Sequence, residues 1–168
     1  DDDDDSILDF YDNCPTGKLN WTSQISLDYD TDGCHDSIED DDDDNDSILD
    51  VNDQCSLGEK TWISDLINDY DSDGCQDSSE DQDDDNDLVY DLQDYCLKGT
   101  LNWTSNISTD YDSDGCQDSG EDQDDDNDSV YDFADNCPKG ELNWNSELET
   151  DYDSDGCHDS IEDQDDDN

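Results

Sequence analysis

Apolar side chains cluster in short segments that are separated by long polar stretches. Residues 19–27, LNWTSQISL, alternate roughly between apolar and polar positions, which predicts one short β-strand. The stretches CPTG at 14–17 and CLKG at 96–99 contain turn-forming residues. No segment has the apolar spacing of an amphipathic helix of useful length. The pattern therefore predicts a mostly irregular, loop- and turn-rich fold with short strands.

The apolar segments recur because the chain is a tandem repeat. The motif DYDTDGCHDSIED at 28–40 returns three more times, each time 41 residues further on. A fixed period of this length is typical of a linear or stacked repeat array. Because residues 165–168 restart the register of residues 1–4, we expect this chain to be a window of a longer array. The predicted units are repeat 1 (1–41), repeat 2 (42–82), repeat 3 (83–123), repeat 4 (124–164) and the start of a fifth (165–168).

Acidic residues fill the polar stretches. The 168 residues include 58 Asp and Glu against 4 Lys and Arg, a net charge of -54, and only 27% are hydrophobic. Composition alone indicates disorder, because so little apolar burial does not offset the entropy of ordering. Nucleic acid is disfavoured as a partner, since it would repel this chain, and no apolar run is long enough to insert into a membrane. Cations are the expected partners.

One acidic motif has the spacing of a calcium-binding loop. Acids alternate, a glycine stands at position 6, and a glutamate ends the twelve-residue frame: Asp28, Asp30, Asp32, Gly33, Asp36 and Glu39 take positions 1, 3, 5, 6, 9 and 12. The backbone carbonyl of position 7 would complete the ligand set. Calcium accepts such a flexible oxygen site more readily than magnesium does. We call this motif, which occurs once per repeat, the glycine loop.

A second frame begins two residues after the first ends. Its acids also occupy positions 1, 3, 5, 9 and 12, and it starts at Asp1, Asp42, Asp83 and Asp124. We call it the acidic loop. Position 6 is Ser or, in repeat 3, Leu88. Because Leu does not readily adopt a positive φ, we expect the acidic loop to turn differently or to share ions with the glycine loop.

Random acidity would not keep this register, so we interpret both frames as calcium sites. Two frames per repeat predict at least two calcium ions per repeat. The candidate ligands of the glycine loops are Asp28, Asp30, Asp32, Asp36, Glu39, Asp69, Asp71, Asp73, Asp77, Glu80, Asp110, Asp112, Asp114, Asp118, Glu121, Asp151, Asp153, Asp155, Asp159 and Glu162. Those of the acidic loops are Asp1, Asp3, Asp5, Asp9, Asp12, Asp42, Asp44, Asp46, Asp50, Asp53, Asp83, Asp85, Asp87, Asp91, Asp94, Asp124, Asp126, Asp128, Asp132 and Asp135.

Eight cysteines follow the same period, which leaves two regular pairings out of 105. We favour the pairing that closes every bond inside the chain, since the other pairing leaves two cysteines without a partner. A soft-metal site is disfavoured, because no CxxC pair exists. Oxidised cysteines indicate an extracellular setting. The favoured disulfides are Cys14–Cys34, Cys55–Cys75, Cys96–Cys116 and Cys137–Cys157.

One tryptophan per repeat stands between the two cysteines of each predicted pair. Either it packs over the disulfide and the neighbouring apolar residues or it offers a platform for carbohydrate, and we favour the packing role. His35 and His158 occupy position 8 of their loops, where Gln76 and Gln117 stand in the other repeats, so they are not catalytic. No recurring nucleophile and base lie in a context that forms a pocket, and we predict no enzyme activity.

The acidic segments resemble thrombospondin type 3 repeats over the whole chain. The resemblance is most specific in DSDGCQDSSEDQDDDND at 71–87 and in the DxxDNCP junction that ends at Pro15. The chain also resembles acidic repeat arrays of large secreted proteins from aquatic microbes. The resemblance implies an extracellular rod with a calcium core and more than the minimum number of ions. Two departures are the missing glycine of the acidic loop and an inserted segment around the tryptophan, residues 14–27 in repeat 1, which we call the Trp segment.

Three Asn-x-Ser/Thr sequons lie in the segments around the tryptophans, at Asn20, Asn102 and Asn106. They are candidate glycan sites. The whole pattern predicts a structural protein of the extracellular space or cell surface, a calcium-stiffened fibre, stalk or spacer that contacts neighbouring copies. The alternatives are a calcium buffer or mineral-templating protein and a cell-surface adhesion module.

Overall fold

The structure is a computed structural model, which describes residues 1–164. Within that range the backbone forms turns, bends and irregular segments, with no helix and no strand. No described segment is thus long and apolar enough to cross a membrane as a helix. The prediction of a loop- and turn-rich chain is confirmed.

The predicted short strand at 19–27 is wrong. The Ser23 N–H donates to the carbonyl of Asp5 at 2.8 Å, so this segment bonds to an acidic loop instead of a second strand. A tight turn follows at once, in which the Leu27 N–H donates to the Gln24 carbonyl at 2.8 Å. Only a few residues are therefore left to alternate, too few to build a ladder.

The described part of the chain divides into two compact units, Asp1–Gln82 and the unit that starts at Asp83. Each unit contains two of the predicted repeats. Inside the first, the Tyr29 hydroxyl donates to the Gly58 carbonyl at 3.0 Å. Inside the second, Tyr111 makes the same bond to Gly140 at 2.9 Å. A tyrosine of the glycine loop thus joins one repeat to the next within each unit.

The favoured disulfide pairing is confirmed. All four bonds join cysteines 20 residues apart, with Cα atoms separated by 5.1 to 5.2 Å. Closing a loop of this length stabilises the folded state by roughly 3 kcal/mol in the chain-entropy estimate. Each bond ties the start of a Trp segment to position 7 of the glycine loop. Four disulfides indicate an oxidising, non-cytoplasmic setting.

The interior is mostly polar, and many large apolar residues lie on the surface. Buried apolar side chains are Trp21 and one cysteine from each disulfide. Large side chains such as Phe10, Leu92 and Phe133 are 86 to 94% exposed. The side chains with less than 2% exposure are all aspartates: Asp3, Asp5, Asp28, Asp44, Asp46, Asp69, Asp85, Asp87, Asp110, Asp126, Asp128 and Asp151.

Candidate metal centre

Every predicted loop has the same internal hydrogen bonds. The carboxylate at position 5 accepts the N–H of position 7, as Asp32 does from Cys34 at 2.8 Å, and the corresponding bond is present in all eight loops. The carboxylate at position 9 accepts the N–H of position 2, as Asp36 does from Tyr29 at 3.0 Å, again in every loop. These bonds fold each twelve-residue segment so that its alternating acids face inward.

The carboxylate at position 1 holds the turn. Asp28 accepts the N–H of Asp32 at 3.0 Å with Oδ1 and that of Gly33 at 3.3 Å with Oδ2. In the acidic loop of repeat 3, Asp83 accepts the N–H of Leu88 at 3.0 Å in the same way. The equivalent position-1 bonds recur in the other glycine loops and in the acidic loops of repeats 2 and 4.

The expectation that the acidic loop turns differently is wrong. Position 6 has φ of +94° at Gly33 and +80° at Leu88. The left-handed conformation costs an L-residue roughly 1–2 kcal/mol. At Leu88 the hydrogen bond to Asp83 offsets this cost, and the side chain is 71% exposed, so it meets no crowded neighbour. One turn type therefore serves both kinds of loop.

Replacing Leu88 by glycine should stabilise the calcium-loaded chain by about 1 kcal/mol, because glycine adopts the left-handed region without strain. The effect is measured as the shift of the urea unfolding midpoint of the wild type and of Leu88→Gly in calcium. Val89→Gly is the control. It changes the adjacent residue, which has no positive φ, and should destabilise. A lower midpoint for Leu88→Gly would contradict the strain assigned to this turn.

Carboxylate oxygens in the acidic loops are buried without hydrogen-bond donors. The oxygens concerned belong to positions 5 and 12, for example Asp46 Oδ2 and Asp53 Oδ2. The corresponding oxygens recur in the other acidic loops at Asp5, Asp12, Asp87, Asp94, Asp128 and Asp135. An ionised carboxylate taken from water into a protein interior needs a compensating charge. These convergent hard oxygens fit a calcium ion, and positions 1, 3, 5 and 12 of the acidic loop would hold it.

The glycine loop also brings its acids together. Asp28, Asp30 and Asp32 each place a ligand atom within 4.8 Å of the others, as Asp42, Asp44 and Asp46 do in the acidic loop of repeat 2 and Asp1, Asp3 and Asp5 in that of repeat 1. In repeat 1 the Asp1 ammonium pairs with Asp9. The structure thus assembles the position 1, 3 and 5 carboxylates that the spacing predicts in both kinds of loop.

The glutamate at position 12 of the glycine loop extends toward the preceding Trp segment. Glu39 Oε2 accepts the N–H of Lys18 at 2.8 Å, and Glu80, Glu121 and Glu162 accept the equivalent N–H in their repeats. At Gly99 an added Cβ would lie 2.5 Å from Glu121 Oε1 and 3.0 Å from Asp85 Oδ2. The glutamate therefore approaches position 3 of the acidic loop of its own repeat, which the frame alone did not indicate.

A serine in the Trp segment connects the two loops of each repeat. The Ser64 N–H donates to the Asp46 carbonyl at 2.8 Å, and its hydroxyl forms a short hydrogen bond with Asp69. Ser23, Ser105 and Ser146 make the same pair of contacts. Position 5 of the acidic loop thus lies close to position 1 of the glycine loop. The two candidate ion positions of a repeat are neighbours.

Burial and mutual repulsion raise the pKa of many of these carboxyls. Burial is the main cause at Asp53, whose pKa rises to about 7, with repulsion from Asp44 and Asp46 adding to it. Burial likewise raises the pKa of Asp46 to about 6. The same shifts recur in repeats 3 and 4, to about 7 at Asp94 and Asp135 and to about 6 at Asp87 and Asp128. These carboxyls thus repel one another, and protons compete with a cation for them.

Calcium affinity should therefore rise between pH 5 and pH 7.5. A carboxyl whose pKa is raised on folding binds protons more tightly when folded, so its contribution to metal-free stability is present near pH 4 and is lost as the pH rises through about 7. Calcium must displace those protons. Calorimetric titrations at pH 5.5 and 7.5 check this, and equal affinities at the two values would contradict it. The metal-free chain should show the opposite trend in stability.

Two acidic residues that the spacing did not predict as ligands also converge with a predicted one. Asp40 follows the glycine loop of repeat 1 and Asp43 is position 2 of the next acidic loop, so neither occupies a predicted ligand position. Nevertheless, Asp36, Asp40 and Asp43 place ligand atoms within 4.8 Å of one another. The unbroken acidic run from 39 to 44 was the available signal, because a frame of alternating ligands does not require it.

Trp21 and Trp144 pack against the histidine at position 8 of the glycine loop in their repeats. Trp21 is 9% exposed, and its ring centre lies 4.8 Å from that of His35. Trp144 and His158 repeat the contact at 4.8 Å. Asn20 and Asn102 precede their tryptophans with φ of +64° and +65° and are exposed, as is Asn106. The sequons are therefore accessible, and the Trp21 and Trp144 rings pack locally against histidine.

Comparison with known proteins adds no family to this picture. Neither a scan against protein-family models nor a search of curated proteins finds a match to the chain.

Proposed function

We propose that the chain is a structural extracellular protein, a calcium-stiffened repeat array that forms a fibre, stalk or spacer. The observation that carries the proposal is the composition of the interior, where aspartates take the place of apolar side chains. Calcium would neutralise these carboxylates and thereby act as the core. The resemblance to thrombospondin type 3 repeats supports the same function.

Hydrophobic burial is a poor alternative source of stability for this chain. The described repeats leave Phe10, Val51, Leu92 and Phe133 more than 80% exposed, and few apolar groups are buried. Disulfides alone leave the buried carboxylates uncompensated. Metal binding would then be coupled to folding, as it is in small domains that have no core of their own. Ion binding along a repeat array would stiffen it over its length, which suits a spacer.

Small-angle X-ray scattering of the disulfide-intact chain tests this function. In millimolar calcium we expect the profile of a stiff rod, and after excess chelator that of a flexible coil. Magnesium at the same concentration is the control, because its strict octahedral preference suits these loops less well. A chain that binds calcium but scatters as a coil in both conditions would be a buffer or storage protein instead. A coil that binds no calcium would overturn the proposal.

The exposed apolar residues favour adhesion as a second candidate function. The residue at position 10 of every acidic loop is large and apolar, and all four are at least 82% exposed. Large apolar side chains that are exposed at the same register position of every repeat offer contact points to neighbouring copies. Light scattering of wild type and Phe133→Ser in calcium tests this function. Calcium-dependent association that weakens in the variant would support contact between copies, and a monomer at all concentrations would speak against it.

A further inference from the structure

A third acidic cluster lies at the boundary between the two repeats of the first unit, and it differs from the position 1, 3 and 5 set of either loop. It consists of Asp36 at position 9 of a glycine loop, Asp40 just after that loop, and Asp43 at position 2 of the next acidic loop. Their ligand atoms lie within 4.8 Å of one another. Asp40 Oδ2 and Asp43 Oδ1 are buried and have no hydrogen-bond donor. The cluster thus has convergent oxygens and no compensating charge from its own side chains.

At the equivalent place in the second unit, the ammonium group of a lysine side chain pairs with the carboxylates. Lys139 Nζ forms a short ion pair with Asp118 and lies 3.3 Å from Asp125 Oδ2. Asp118 and Asp125 correspond to Asp36 and Asp43 two repeats earlier. Asp125 is only 7% exposed, so this ammonium compensates a buried charge. The same pair of carboxylates is therefore a cation site in the one unit where a lysine reaches it.

Lys139 has no counterpart in the first unit. Leu57 stands at the equivalent position and is 57% exposed. The nearby Lys60 ammonium instead donates to the Tyr29 carbonyl at 2.7 Å and lies 4.0 Å from the centre of the Tyr29 ring. Among the described residues, no ion pair reaches the carboxylates of Asp36, Asp40 or Asp43. The first unit thus has the anionic site without the tethered cation.

We infer that the Asp36–Asp40–Asp43 cluster binds an additional calcium ion and that Lys139 takes the place of that ion in the second unit. The inference rests on the proposed calcium-bound state of the loops. All three ligands are hard carboxylate oxygens, the donor set that calcium prefers over softer metals. A chain of this kind varies its ion content from junction to junction by exchanging one residue, leucine or lysine, at a fixed position of the repeat.

Two reciprocal substitutions test the inference in the full disulfide-intact chain. Leu57→Lys should lower the number of bound calcium ions by one, because the new ammonium fills the first-unit site. Lys139→Leu should raise it by one. Leu57→Gln, a polar side chain without charge, is the matched control and should leave the number unchanged. Equilibrium dialysis in physiological salt, supported by native mass spectrometry, supplies the counts.

Asp43→Asn is a second, independent test, because it removes a ligand charge directly and does not require a lysine side chain to contact the site. It should also lose one ion, and the double variant with Leu57→Lys should lose no more than either variant alone. Unchanged counts in Leu57→Lys, Lys139→Leu and Asp43→Asn, with the loop ions still bound, would overturn the third site alone. A wild-type chain without saturable calcium binding would overturn the proposed function, and the third site with it.

Discussion

Gly115→Ala should destabilise the calcium-loaded chain by at least about 2 kcal/mol and weaken calcium binding in repeat 3 by tenfold or more. Gly115 has φ of +90°, a conformation that costs an L-residue roughly 1–2 kcal/mol. An added Cβ would also lie 2.1 Å from Asp94 Oδ1. Asp94 is position 12 of the acidic loop, and its other oxygen is one of the buried atoms without a donor. The methyl group would therefore displace a candidate ligand as well as strain the turn.

Gly120→Ala provides the matched control for that variant. Gly120 lies in the same repeat, no atom stands within 4 Å of its would-be Cβ, and its φ is not in the left-handed region. Its substitution should leave stability and calcium affinity within the error of the wild type. Urea unfolding in calcium and calorimetric titration measure both quantities. Equal behaviour of the two variants would show that neither the turn nor Asp94 matters for the ion.

Asp46→Asn should lower calcium affinity at one acidic loop by tenfold or more, which corresponds to about 1.4 kcal/mol. Asp46 is fully buried, its Oδ1 accepts the N–H of Ile48 at 2.6 Å, and its Oδ2 has no donor. An asparagine keeps the shape and the hydrogen bond to Ile48 but removes a negative charge from the ligand set. The loss of affinity thus reports on the charge and not on packing.

Asp41→Asn is the control for long-range electrostatics. It removes the same charge five residues away, at an exposed side chain outside the loop frames. Exposed charges are screened over about 8 Å at physiological ionic strength, so the control should change affinity by less than twofold. Calcium titration of the two variants in physiological salt separates the outcomes. Similar small losses of calcium affinity in both variants would mean that calcium binding depends on the net charge and not on a specific site.

The sequence predicted the features that depend on spacing. The period and the cysteine register determine the disulfides, because only one regular pairing closes every bond within the chain. The alternation of acids predicts which carboxylates converge, and the structure brings Asp28, Asp30 and Asp32 together as the frame requires. Such features follow from local chain geometry, since a carboxylate that accepts N–H groups a few residues ahead folds its own loop.

The predictions that were wrong, and the features that were not predicted, depend on contacts between segments. Leu88 adopts a positive φ despite its intrinsic preference, because Asp83 and the exposed setting make the turn tolerable. The Trp segment bonds to a loop carbonyl instead of another strand. Asp43 meets Asp36 and Asp40 across the boundary of two repeats, which a single-loop frame does not describe. Propensity and frame spacing contain no information on these encounters.

Whether the buried aspartates form specific calcium sites is decided by a calcium count from equilibrium dialysis across a range of sodium chloride concentrations. Specific sites should saturate at no fewer than two ions per repeat. They should keep most of those ions in physiological salt, because salt screens the interaction between a buried carboxylate and its ion only weakly. Uptake that never saturates and disappears as salt is added would instead describe a counterion cloud around a disordered polyanion, and would contradict the account.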